Sequence, residues 1–130
     1  MIEQTELIIS EWIYIPPVDV SELGEKIISH ISLDVMKKRA STKKGIACRF
    51  SCKFVNGEDT ILLYIAEDSY VIDLEDVIDK YELLRMIRNS YSKFKEKFDL
   101  RKLGTALQHQ SLSPLDETRI DLDLILSLLN

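Results

Sequence analysis

The amino-acid sequence predicts an α+β fold: a four-stranded antiparallel sheet with a long C-terminal helix and a short terminal segment packed on one face. Three observations carry that expectation. Apolar residues recur at every second position between Ile27 and Leu74, they recur at every third or fourth from Val77 to Phe98, and Asn56-Gly57 between two apolar runs marks a hairpin. The period changes once, from that of a sheet to that of a helix.

The first strand is Leu7 to Ile15, rich in β-branched and aromatic residues and stopped by Pro16-Pro17, which lack the N–H groups that pairing needs. Val18 to Glu25 is then a connection. Lys26 to Lys38 admits two readings, since Leu23, Ile27, Ile31 and Val35 fit a helical stripe while Ile27, Ile31, Leu33 and Val35 share one face of a strand. Leu33 decides for the strand: in a helix it would lie about 200° from Ile31, on the wet side. A polar connection from Lys37 to Gly45 leads to the third strand. There Cys48, Phe50, Cys52 and Phe54 alternate with Ala47, Arg49, Ser51 and Lys53, which marks one wet face and an antiparallel sheet. Asn56-Gly57 turns the chain into Thr60 to Ala66, which is apolar on both faces and so asks for cover on both, one side by another subunit. A polar break at Glu67-Asp68-Ser69 precedes Tyr70-Val71-Ile72.

Asp73 fits a helix N-cap with Glu75 and Asp76 in the first turn. The stripe Val77, Tyr81, Leu84, Ile87, Tyr91, Phe94 and Phe98 then runs along one helix face that closes before Gly104. Leu107 to Leu115 reads as a loop, and Ile120 to Leu129 as a short apolar segment that must dock.

At 130 residues the chain is long enough for one self-sufficient core and too short for two, so residues 1–130 are expected to form a single domain. Composition is that of globular protein, with 45% hydrophobic and 30% charged residues. No apolar run reaches the roughly eighteen residues that span a bilayer, and Met1 to Glu6 is acidic, so a cytoplasmic protein without a cleaved signal is expected. Cys48 and Cys52 lie four apart on one strand face, about 13 Å from each other at about 3.3 Å per residue, too far for a disulfide. Both read as small buried hydrophobes.

The net charge of −5 is unevenly spread, with nine acids against Lys80 alone from Gly57 to Glu82 and seven bases against two acids from Arg85 to Lys102. Acids at the start of the helix and bases at its end complement the helix dipole. Overall acidity argues against nucleic acid as a partner. Catalytic vocabulary is sparse. His30 falls on the face opposite Ile31 and Leu33, His109 lies in a polar loop, and no nucleophile, zinc, phosphate-loop or C-x-x-C motif occurs, so no enzyme and no cofactor are expected. Asp73, Glu75, Asp76 and Asp79 lack the glycine-centred loop of a calcium site.

Element order and several strings resemble the SecB family of cytoplasmic export chaperones. Ile31-Ser32-Leu33-Asp34-Val35 resembles that family's second strand, Gly45 to Val55 its third, and Gly57-Glu58-Asp59-Thr60 with Ile61-Leu62-Leu63-Tyr64 its hairpin and fourth strand. Ser90-Tyr91-Ser92-Lys93 sits where the family's P-Y-A-R motif opens the main helix, and Leu103-Gly104-Thr105 where that helix stops. The resemblance implies a tetramer built as a dimer of dimers, and a holdase whose groove between crossover loop, sheet and main helix takes unfolded polypeptide.

Within such a groove Trp12, Tyr14, Ile15, Val18 and Phe94 are the candidate contacts, and Tyr64, Ile65 and Cys52 the candidate subunit or core contacts. Departures from the family argue against coupling to the SecA motor: Ser90 and Lys93 in the motif, Ile65 where the family carries a glutamate, and a tail without the acidic run; the short Val18 to Glu25 crossover would narrow or remove the groove. A dedicated chaperone or interaction protein for one partner, such as an antitoxin, is the second reading.

Overall fold

A computed structural model describes residues 3–4, 6–17, 27–39 and 42–130. Its strands are β1 (Glu3–Gln4), β2 (Ile8–Tyr14), β3 (Ile27–Arg39), β4 (Lys43–Asn56) and β5 (Asp59–Asp73), followed by helices α1 (Lys80–Arg101) and α2 (Leu122–Leu129) with a 3-10 turn at Glu117–Arg119 between them. All pairings are antiparallel: β3 pairs with β4, β4 with β5, and β1 and β2 share the far flank of β5. The α+β class, with four main antiparallel strands and helices on one face, is as the sequence predicts; the two-residue β1 is an addition. The long helix is internal rather than C-terminal, because the chain folds back along it after Gly104.

The register explains which residues are covered. Ile31, Leu33 and Val35 of β3 stand opposite Cys52, Phe50 and Cys48 of β4, which in turn stand opposite Tyr64, Ala66 and Asp68 of β5. Directly opposed residues in an antiparallel ladder point to the same face, so these rows form one surface. The strand reading of residues 27–35, made on Leu33, is correct, and the helical one is not. The hairpin turns at Gly57, whose φ of 63° is left-handed. Glu58 keeps a negative φ, so the turn is of the II′ kind, with glycine first.

α1 lies across that surface. Asp79 caps it by accepting a 2.7 Å hydrogen bond from the Glu82 N–H. Its buried face is Leu83, Met86, Ile87, Ser90, Tyr91, Phe94 and Phe98. Tyr64 and Phe94 stack at 4.1 Å and 7°, Phe54 and Phe98 at 5.4 Å and 8°, and Phe50 approaches Tyr91 at 5.2 Å. Such pairs add to area burial by roughly 0.5–1.5 kcal/mol each.

Four local expectations need correction. Asp73 is not the helix cap; it ends β5 opposite Lys43, with which it forms an ion pair. Val77 precedes the helix and is 74% exposed, and Tyr81 is 73% exposed, so the stripe begins at Leu83 instead. The polar break at Glu67-Asp68-Ser69 is continuous strand, because Glu67 meets Lys38 at 3.4 Å and Asp68 is bonded by Ser90 from the helix above. Most of the supposed Lys37 to Gly45 connection is likewise strand, since Lys37, Lys38 and Arg39 pair with Ile46, Gly45 and Lys44.

Replacing Phe94 with Ala should remove about 3–5 kcal/mol of unfolding free energy, whereas Val77→Ala should change it by less than about 0.5 kcal/mol. Urea denaturation of the two variants checks the orientation of α1, and equal losses would overturn it.

Candidate functional site

After α1 the chain turns at Gly104 (φ 78°) and runs back antiparallel to the helix on the β3 side. Successive contacts fasten it. Tyr91 Oη donates to the Ser113 carbonyl, and Arg88 grips both carboxylate oxygens of Glu117, with Nη2–Oε2 at 2.8 Å. Lys80 meets Asp123 at 3.1 Å. Near the start of α1 the Ile78 N–H donates to Asn130 Oδ1 at 3.2 Å and Asn130 Nδ2 donates to the Ile78 carbonyl at 2.9 Å. The bond from Arg88 holds the Glu117 carboxyl below the usual range. Asp116 and Asp121 cap the 3-10 turn and α2, each through its own side chain.

Between this return segment, Tyr91 of α1 and the helix-side face of β3 lies an open furrow of about 510 Å³. Its floor is Ile31, Leu33 and Phe50, its far wall Leu115, Ile120 and Leu124, and its rim carries Asp116, Arg119 and Asp121. The volume falls in the roughly 300–1,000 Å³ range of ordinary binding sites. Leu124 is 57% exposed at its lip. A second, smaller hollow of about 180 Å³ lies between Leu7 and Lys93, Lys97 and Leu100 of α1.

The residues singled out in the sequence do not assemble into one groove. Trp12 is half-buried, edge-on to Tyr64 at 5.2 Å with the Arg101 guanidinium 5.8 Å from its ring. Tyr14 Oη accepts a 2.8 Å bond from the Ala106 N–H, which ties β2 to the turn after α1. Ile15 is exposed, and Val18 lies outside the described residues. Phe94 is wholly buried on Tyr64 and offers no surface to a ligand. Tyr64 and Cys52 are core for the same reason, since the helix already covers their face, whereas Ile65 points to the opposite face and is half-buried.

Ile31, Leu33, Leu115, Ile120 and Leu124, which line the furrow, escaped the sequence reading as site residues. The available signal was the apolar segment Ile120 to Leu129, which had to dock on something.

A polar cluster is buried beneath α1. Ser90 Oγ lies 2.8 Å from Asp68 Oδ2 and 2.9 Å from Tyr70 Oη, which also lies 3.0 Å from the Met86 carbonyl, and Lys93 Nζ stands 3.4 Å from the same Asp68 oxygen. Cys48 and Cys52 are free and buried, as expected. Burial pushes both thiols from 9.0 up to about 12, the Ser90 contact opposing the rise at Cys48 and Asp68 adding to it. Burial also raises Tyr70 and Tyr91 from 10.0 to about 12, and Tyr64 further. His30 and His109 are both exposed. Among the described residues no group of three or more His, Cys, Asp or Glu could hold a metal ion, and no helix is long and apolar enough to cross a membrane.

The molecule thus belongs to the α+β proteins that lay helices on one face of an antiparallel sheet. Neither a protein-family model nor a curated protein matches the sequence. Among solved structures it is similar to that of a protein of unknown function from Streptococcus agalactiae. The two share 10% identity over 89% of this chain and 97% of that one, with a TM-score of 0.43.

Because the folded protein holds the Cys48, Cys52, Tyr70 and Tyr91 protons more tightly than the unfolded chain, their stabilising contribution is complete below about pH 9. It is lost as pH rises towards about 12. The urea midpoint should therefore fall across that alkaline interval, with both thiols inert to alkylating reagents at mildly alkaline pH until urea unfolds the chain. Rapid native labelling would contradict this placement.

Proposed function

We propose that this protein is a SecB-like holdase that keeps extended apolar stretches of unfolded or partly folded polypeptide in the furrow beside β3, without enzymatic activity. The observation that carries the reading is the furrow itself: an open apolar trough with a strand as its floor and a tethered segment as its wall. Apolar area contributes about 25 cal/mol per Å² whatever the sequence that supplies it. A trough open along one side accepts a chain laid in from solvent rather than threaded. The resemblance to the export chaperones supports the same reading through element order, although the furrow lies on the β3 side and not beside Trp12 and Tyr14.

A second reading has its own support. The furrow rim carries Asp116, Arg119 and Asp121 in fixed positions, which can match one partner's polar pattern, as a dedicated chaperone for an antitoxin-like protein would require. Client breadth separates the two. A general holdase keeps several unrelated chemically unfolded proteins soluble, and a dedicated one ignores the panel and retains one partner. Export and toxin–antitoxin control are the corresponding cellular settings, with SecA coupling disfavoured by Ser90, Lys93 and Ile65.

The test is suppression of aggregation of denatured proteins at stoichiometric ratios. Leu124→Asp, at the furrow lip, should weaken suppression about tenfold by placing a charge where apolar chain must lie. Leu103→Asp, 66% exposed beyond α1 and outside the furrow, should leave it unchanged. Wild-type protein that protects neither the panel nor any single partner would end the proposal.

A further inference from the structure

The edge of β3 that has no strand partner among the described residues is unlike the edges that monomeric proteins protect. Proteins blunt an exposed strand edge with proline, a bulge, short length or frequent charge. β3 is 13 residues long, pairs with β4 without a register shift, and contains no proline. From Ile28 to Met36 its charge-bearing side chains are His30 and Asp34 alone. β4 is the strand it pairs with among the described residues, so one edge of its backbone N–H and C=O groups lacks a ladder partner there.

The sequence of this edge is complementary to itself. In an antiparallel pair of identical strands related by a two-fold axis through Ser32, Ile31 stands opposite Leu33 of the second copy, His30 opposite Asp34, Ser29 opposite Val35 and Ile28 opposite Met36. His30 and Asp34 then meet twice, once on each side of the axis, where an imidazole N–H can donate to a carboxylate, and three apolar or small pairs fill the rest. Neighbouring registers lose this. An axis through Ile31 sets Ile28 against Asp34, one through Leu33 sets Ile28 against Lys38, and axes through His30 or Asp34 oppose like residues. Within one copy, His30 faces Lys53 and Asp34 faces Arg49 on β4, and on the side away from β4 neither has a strand partner among the described residues.

We infer that the partner of this edge is a second copy of the same chain, joined β3 to β3 about an axis at Ser32 into one continuous sheet. The register pairs helix-side residues with helix-side residues, so both helical layers lie on the same face. The two furrow floors, Ile31 and Leu33 of each copy, become neighbours across the seam. A client laid in one furrow would then border the other, but the seam rests on β3 alone and is read without any client.

Disulfide trapping in the full-length protein tests it. Only a residue on the axis meets its own copy, so Ser32→Cys should give a covalent dimer under mild oxidation. His30→Cys and Asp34→Cys, each about 13 Å from its own copy at about 3.3 Å per residue, should cross-link at least about tenfold more slowly. A mixture of those two should cross-link to each other. Native Cys48 and Cys52 are fully buried and should stay silent.

In sedimentation, His30→Asp should weaken the wild-type dimer about tenfold by setting carboxylates opposite each other, and the exchange His30→Asp with Asp34→His should restore it. A wild-type protein that is monomeric at every concentration overturns the inference. So does a dimer that the Ser32→Cys substitution fails to cross-link, or one in which His30→Cys or Asp34→Cys links to its own copy as fast.

Discussion

Stacking of α1 on the central strands is the interaction on which the rest of the molecule depends. Tyr64 and Phe94 meet face to face at 4.1 Å, and Phe50, Phe54, Tyr91 and Phe98 continue the layer to either side. Aromatic rings cover much area for little rotamer entropy, so one helix suffices over β4 and β5. One helix cannot also cover the flanks. β2 is sealed by Trp12 and Tyr14 against α1 and the turn that follows it, while the β3 flank is left to the returning chain.

Apolar stacking alone would tolerate a helix that slid or rotated by a few ångströms. The polar cluster removes that freedom, because Ser90 bonds Asp68 and Tyr70 in a place where water is excluded, and a displaced helix would strand a carboxylate. Ser90 is followed by Tyr91, which therefore points to the β3 side, contributes to the furrow and holds the Ser113 carbonyl. The chain of dependence runs from a buried serine to the position of the furrow wall. The paired bonds between Asn130 and Ile78 fix the other end of that wall.

The sequence carried the class of each element more faithfully than its boundaries. Alternation through Cys48, Phe50, Cys52 and Phe54 and the Asn56-Gly57 turn are short-range patterns, and they identified β4 and the hairpin directly. Leu33 was enough to separate strand from helix in β3. Errors arose where distant partners decide the outcome. Glu67 and Asp68 resemble a break until Lys38 and Ser90 are placed against them, and Asp73 resembles a cap until Lys43 is opposite it. Phe94 suits a groove or a core equally on sequence alone, because aromatic residues fit both, and only the approach of Tyr64 decides between them. The furrow was the least accessible feature, since it is made by segments some eighty or more residues apart whose meeting depends on the whole helical layer.

The face of the sheet away from the helices offers a competing surface, and its chemistry argues against it. Leu63 and Ile65 of β5 lie there, yet they are only half exposed. Their register neighbours are Lys53 and Ser51 on β4 and Ile13 and Glu11 on β2. Long charged side chains lay their stems along apolar neighbours and keep their heads in water, and Lys38 with Glu67 adds a solvated pair on the same face. That face is a wet face with apolar filling. In the furrow, by contrast, charge sits at the rim while Ile31, Leu33 and Phe50 lie on the floor beside Ser29, an apolar centre with a polar rim as binding surfaces carry. Alternation along β3 divides its side chains by parity: Ile31 and Leu33 face the furrow, while His30 and Asp34 lie exposed on the other face.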